Sequence, residues 1–384
     1  MTRQRNVLLI QLMSLFLATP LLAAAPLSRD TTFIGMSADE PPRSLAEMAP
    51  RAARQVLASA GSNDPQTRTN AIEACEFLQI ARATPQLQLA LEDNLVPVRF
   101  AALVTIGRVE ARSLVPSVKR VLKEDDLDPH VRAAALFALH RCGKNVDLSH
   151  LARMLRSDDA GMRGNAAMLL GMMRNRSAVP MLKELGRARL PATMSHVHGV
   201  IVRIQIAEAR ARLGDESAMS MIRSGLFSSY DEVRVLAAGM LGRIGDNKME
   251  EAFFGILQDD REATIELKLA ALDSLMRMER SLVVLNEAME SIYMAVDAAN
   301  LDSPVIRAQA AQTLGTIEAA RRRGRARLKA SGQLPPPHVV KQFGRGEAAA
   351  ALLGLLDDPV EAVRLAASAS LLAAVRRAGT ASEG

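Results

Sequence analysis

Few side chains in this sequence are able to do chemistry, and their spacing brings almost none of them together. The six histidines are His130, His140, His150, His196, His198 and His338. A metal centre or catalytic site needs several ionisable or ligating groups converging on one point. The nearest approach to a ligand pair is His196-x-His198, which stands just before a helical stretch without an obvious carboxylate partner and reads as solvated loop. His140 and Cys142 are close in sequence, but positions i and i+2 face different sides of a helix. No Gly-x-Ser-x-Gly elbow, phosphate-cradling glycine loop or Cys-x-x-Cys occurs. The expectation is a chain with no catalytic residue, no metal and no cofactor.

The elements that would position any site are helical. Hydrophobic residues make up 49% of the chain but aromatics only 3%, with no Trp. Ala, Leu, Met and Val supply the apolar surface, and Ala, Leu and Met are strong helix formers whereas sheets favour β-branched and aromatic residues. Lys and Arg total 48 against 42 Asp and Glu, a formal charge of +6 spread along the chain. So small an excess does not indicate nucleic acid, and the scarcity of aromatics denies a single strand its stacking platform.

The first residues read as an export signal. Arg3 and Arg5 precede an apolar run from Val7 to Ala18, Thr19-Pro20 breaks it, and the small residues Ala23, Ala24 and Ala25 follow. The run is short for a membrane span, which takes about 20 residues. Pro26, directly after the Ala23-x-Ala25 site, disfavours cleavage there and leaves an uncleaved anchor open. The chain is therefore expected to be periplasmic or secreted, or tethered to the membrane.

One pattern recurs along the chain: an acidic residue or Pro in a turn, then Val-Arg or its like, then small residues, then Leu-Gly. It is clearest at Leu127–Leu139, Tyr230–Gly242, Asp302–Gly315 and Asp357–Leu372. The basic residues that anchor it are Arg68, Arg99, Arg132, Arg163, Arg203, Arg234, Lys268, Arg307 and Arg364. Their spacing runs from 31 to 40 residues, with one gap of 57 before Arg364. That is the length of two helices and two turns. Between the copies lie amphipathic stretches such as those from Ser113, Leu148, Ala178 and Met249, apolar at three- and four-residue intervals. Each unit is helix A, a turn, then helix B, and a lone hairpin of this kind cannot bury its apolar face unless neighbours stack on it.

The pattern D-x-x-V-R-x-x-A-A-x-x-L-G resembles that of HEAT repeats, including the short HEAT-like repeats of phycobilin lyases, over about Arg51 to Ala378. The resemblance implies an all-α, right-handed superhelical solenoid of about nine helical hairpins. It also implies a hydrogen-bonded ladder between units, built from turn Asp and helix-B Arg: Asp128 with Arg132, Asp231 with Arg234, and Asp302 with Arg307. Iron-binding enzymes of this type carry His-Glu pairs on successive helices, and this sequence has no His-Glu dipeptide. The expected organisation is 1–25 signal or anchor, 26–50 flexible tether, 51–320 repeat array, 321–338 basic then Pro-rich insertion, 339–378 final hairpin and 379–384 tail. Cys75 and Cys142 fall two hairpins apart, too far for a bridge, so both are expected as buried free thiols.

Two basic features are candidates for binding. Nine residues after the anchor position stand Arg108, Arg141, Arg212, Arg243 and Arg277, which stacking would align into a stripe. The stripe reads either as a surface for an acidic protein or peptide, or as cations at helix C-termini favoured by the dipole. The cluster Arg321, Arg322, Arg323, Arg325, Arg327 and Lys329 reads either as a docking segment for an anionic partner or as a solvated helix face. The function expected is a non-catalytic extracytoplasmic scaffold that holds a protein or peptide on its concave helix-B face. It binds no nucleic acid or small-molecule substrate, and touches membrane only if the N-terminal segment is uncleaved. A lyase-type enzyme using the groove, and a membrane-tethered structural component of the envelope, are the alternatives.

Overall fold

The computed structural model describes residues 44–259, 261–278, 289–331 and 346–379. Every regular element among them is helical. Helices α1 (Leu45–Ser59), α2 (Pro65–Ala74), α3 (Ile80–Ala90), α4 (Val96–Arg108), α5 (Val115–Val121) and α6 (Pro129–Arg141) come first. Next are α7 (Ser149–Met154), α8 (Ala160–Met172), α9 (Val179–Arg187), α10 (His196–Arg212), α11 (Met219–Gly225) and α12 (Asp231–Ile244). The last six are α13 (Glu250–Gln258), α14 (Ile265–Arg277), α15 (Met289–Ala298), α16 (Pro304–Ser331), α17 (Glu347–Gly354) and α18 (Glu361–Gly379). Odd-numbered helices are the A type and even-numbered the B type, so the array is the all-α, solenoid-type stack that the repeat implies.

Local chemistry sets the helix starts. Asp64, Asp128, Asp159, Ser195 and Thr264 each accept a backbone N–H of the first turn they precede. Pro sits in the first turn of α2, α4, α5, α6 and α9, where its missing N–H costs nothing. The B helices α6, α10 and α12 end on left-handed glycines, Gly143, Gly214 and Gly245. Burial, rather than amphipathicity, distinguishes the B helices. In α4, Phe100 to Gly107 are buried without a break, as in a helix enclosed on every side by its neighbours.

The chain forms two compact units. One comprises residues 60–240; the other is discontinuous, taking in α1 together with residue 241 onward. The boundary falls inside α12, between Met240 and Leu241. In the second unit α1 lies against α18. Ser59 donates to Glu361 at 2.8 Å, and Arg51 pairs with the Asp357 carboxylate while also donating to the Leu356 carbonyl at 3.3 Å. The first helix thus serves the last hairpin, some 300 residues away in sequence.

Two expected boundaries shift. Residues 45–50, assigned to the tether, are helical: Ser44 and Glu47 cap each other reciprocally, at 3.0 and 3.2 Å, the S-x-x-E arrangement that starts a helix. The basic cluster opens no separate insertion, because α16 continues to Ser331. The export signal, most of the tether, the Pro-rich stretch with His338 and the extreme tail lie outside the described residues. Among those described, no helix is long and apolar enough to cross a membrane.

Candidate interaction surfaces

The anchor arginines do build a ladder, though with different partners from those expected. Four of them reach back to a carbonyl in the turn before their own helix, six residues earlier: Arg68 to Ser62 at 2.5 Å, Arg163 to Ser157, Arg307 to Leu301 at 2.9 Å and Arg364 to Asp358 at 2.6 Å. Arg203, preceded by the longest turn of the first unit, holds the Gly186 carbonyl at 2.8 Å. Three also reach forward to a carboxylate in the next hairpin's turn: Arg68 to Asp93, Arg99 to Glu124 and Arg307 to Asp358. One guanidinium, with its five donors, can close its own turn and clasp the following one.

Of the three expected pairs, Asp231 with Arg234 makes an ion pair, but within one helix and not between units. Arg234 meets Asp231 at 3.3 Å, within a single helical turn. Asp128 instead spends its carboxylate on the N–H groups of His130 and Val131, and Arg132 meets Asp128 only through its backbone N–H, which donates to the Asp128 carbonyl at 2.9 Å. Arg307 takes the backbone carbonyl of Asp302 at 2.8 Å, while its charge is met by Asp358. At Asp128 the helix N-terminus is the closer claimant for the carboxylate.

The Leu-Gly stripe positions form a second ladder. In the first unit, Arg108 pairs with Glu76 at 2.8 Å, and Arg141 pairs with Glu110 at 2.6 Å and also donates to the Gly107 carbonyl. Arg212 pairs with Glu208 at 2.8 Å. In the second unit, Arg277 binds Asp273, which also accepts from Thr316 at 2.6 Å, and that neighbouring carboxylate holds the arginine above its usual pKa. Arg243 is exposed. Gly107 is the next-to-last residue of α4, so Arg141 adds a donor at a neighbour's helix-end carbonyl and opposes the negative end of its dipole. Arg108, Arg141, Arg212 and Arg277 are therefore each met by a carboxylate of the fold.

The basic segment behaves similarly where it is described. Arg321 pairs with Glu318, and Arg323 donates to the Met276 carbonyl at 2.9 Å. Arg322 is half-buried. The side chains of Arg325, Arg327 and Lys329 lie outside the described set.

The histidines are dispersed. His130 is buried and faces Asn165 across a 3.0 Å hydrogen bond, and burial lowers its pKa. His140 and His150 each meet a backbone carbonyl, of Met173 and Pro129. His196 and His198 open α10 rather than lying in a loop, capped by Ser195. Among the described residues no group of three or more His, Cys, Asp or Glu is placed to hold a metal. Cys75 and Cys142 are buried free thiols, and burial pushes Cys75 up to about 12, so it holds its proton.

One surface was not legible in advance. Met221, Phe227 and Tyr230 are 40%, 70% and 37% exposed at the turn joining α11 to α12. The Tyr230 ring lies 6.0 Å from that of His196, at 46°. The signal available in the sequence was the 40-residue spacing between Arg163 and Arg203, which lengthens the adjoining turn, and the two aromatics, Phe227 and Tyr230, placed just before Asp231.

Comparison with protein families matches residues 84–171 to HEAT repeats. No curated protein matches the sequence. Solved structures that overlap include human deoxyhypusine hydroxylase in complex with glycerol, at 13% identity and TM-score 0.34 over 71% of this chain and 97% of that one. The complex of CpcE and CpcF of phycocyanin lyase from Nostoc sp. PCC7120 overlaps at 17% identity and TM-score 0.35, over 82% and 98% of the two chains. Kap121p bound to Pho4p does so at 14% identity and TM-score 0.38, over 83% of this chain and 42% of that one. Scores this low carry no conclusion about activity. The stretch from within α3 to the end of α8 consists of HEAT repeats, and the hairpins that follow it are built on the same plan of turn, anchor cation and small-residue B helix.

Proposed function

We propose that this protein is an exported, non-catalytic scaffold whose hairpin array holds a protein or peptide. The observation that carries the reading is the use made of the recurrent charges: Arg68, Arg99, Arg141 and Arg307 are each engaged by a carboxylate of the fold itself. Side chains of that kind build a rigid surface; they do not converge on a reacting atom. Repeat arrays of this type present long surfaces to macromolecules.

The helix-B face was the expected seat. Its exposed strip in the first unit is narrow, comprising positions such as Arg132, Leu136 and His140 on α6, each half-buried. A partner seated on B helices alone would have an extended peptide's width to work with. Export rests on Arg3, Arg5 and the apolar run from Val7 to Ala18. Mass determination of the mature N-terminus tests it: loss of the first 25 or so residues is the expected result, and an intact start turns the reading towards a tethered envelope component. Affinity capture from the cell envelope should return one enriched protein. Stoichiometric metal or chromophore in the purified protein would overturn the non-catalytic reading in favour of a lyase-type enzyme.

A further inference from the structure

The turns that precede the B helices α2, α4, α6 and α8 carry acids: Asp64, then Glu92 and Asp93, then Glu124 to Asp128, then Asp158 and Asp159. The next turn does not follow suit. Between α9 and α10 the turn is bordered by Arg187 and Arg189, both exposed and without an ion pair among the described residues. Its start is fixed by Arg203, which holds the carbonyls of Gly186 and Ala188. Its middle is fixed by Leu190, whose side chain covers the face of Gly199 so closely that a Cβ there would lie 2.7 Å from Leu190 Cδ1. The loop therefore lies back on the first turn of α10, beside His196.

The following turn carries exposed Phe227 and Tyr230, and the Tyr230 ring lies 6.0 Å from that of His196. The chain has nine Phe and two Tyr in all, and setting two of these eleven in solvent on one turn is a costly use of scarce aromatics. Exposed aromatics clustered beside Arg are the composition of binding hot spots.

We infer that Phe227, Tyr230 and His196, flanked by Arg187 and Arg189, form a docking site for an acidic peptide segment of another protein that carries a bulky apolar anchor. The anchor would lie against Phe227 and Tyr230, and its flanking carboxylates would meet the two free guanidiniums. Exposed Glu232 and the Asp231–Arg234 pair set the limit of the cationic side. The inference rests on the scaffold reading and supplies its surface and the chemistry of its partner.

Fluorescence anisotropy on the full exported chain tests it. The probe is a labelled peptide with a Leu-Phe pair between runs of Glu; the controls replace Glu by Lys, or Leu-Phe by Ser. The expected result is preference for the first peptide, weakened about tenfold or more by F227S/Y230S and by R187E/R189E, with the thermal midpoint unchanged because all four side chains are exposed. Equal binding of the three peptides, or variants that bind as the parent does, overturns the site. So does binding to phosphatidylglycerol vesicles that R187E/R189E abolishes while peptide binding persists. In capture from envelope extracts, a partner retained equally by the variants rejects this surface and leaves the scaffold standing. A parent that captures nothing yet discriminates among the peptides keeps the surface and counts against the scaffold.

Discussion

Arg307 donates to both carboxylate oxygens of Asp358, at 2.7 and 3.1 Å, although 51 residues separate them. The two belong to successive hairpins, one in the first turn of α16 and the other in the turn before α18. Asp358 is buried and Arg307 nearly so. A guanidinium in that place joins one unit to the next, which is how stability passes along an array whose repeats touch only their neighbours.

Replacing Arg307 by Ala leaves Asp358 buried without its cation. Breaking a buried pair from one side costs about 3 kcal/mol, so R307A should lower the urea midpoint of the second unit markedly. R307K should recover part of the loss, since an ammonium restores charge without the fork. An R307A protein that unfolds with the parent would show that the pair does not join the hairpins.

Arg141 gives the contrasting test for the stripe. Its charge meets Glu110 and the Gly107 carbonyl. R141E would set a carboxylate against both, lowering stability by about 1–2 kcal/mol, with little effect on partner capture. Were the stripe a binding surface, the same change would leave melting alone and abolish capture. Melting curves and capture, run together on R141E, decide between the two.

The helical array was readable because its cause is local and periodic: small residues every three or four positions and an anchor cation at a fixed place. The partners of those cations were not. The resemblance implies a pair between Asp128 and Arg132, yet the nearer helix N-terminus claims the carboxylate. Arg307 and Asp358 are separated by a long insertion that hides their pairing. The docking of α1 on α18 depends on which ends of the chain meet, and no periodicity records that. The exposure of Phe227 was equally hidden, because a Phe in a repeat reads first as core.

His130 should make the first unit acid-sensitive. Burial lowers its pKa, against the opposing pull of Asp128 and Asp159 and with a small further push from His150, and Asn165 faces its ring at 3.0 Å. The native state keeps the imidazole neutral, while the unfolded chain takes up a proton near the ordinary value of about 6.5. The contribution is complete above that value and is lost as pH falls below it towards the lowered native pKa. Urea midpoints measured from pH 7.5 down to 5 should drop for the parent and drop less for H130N. Parallel curves would place the acid sensitivity elsewhere.

Two glycines in helices should respond to the same substitution with opposite sign. At Gly171, in α8, a Cβ would lie 2.8 Å from Cα of Ala209, backbone of a neighbouring B helix that cannot swing aside. The Ala side chain would gain about 1 kcal/mol of helix propensity but force two tightly packed helices apart, at about 1–3 kcal/mol. The net effect of G171A is destabilising. At Gly255, in α13, an added Cβ meets nothing within 4 Å, so G255A keeps the propensity gain and raises stability by about 0.5–1 kcal/mol. Denaturation of the two variants side by side tests whether the Leu-Gly positions exist for close approach of B helices. If G171A proves as stable as G255A, the helices are not held at the separation that the repeat requires.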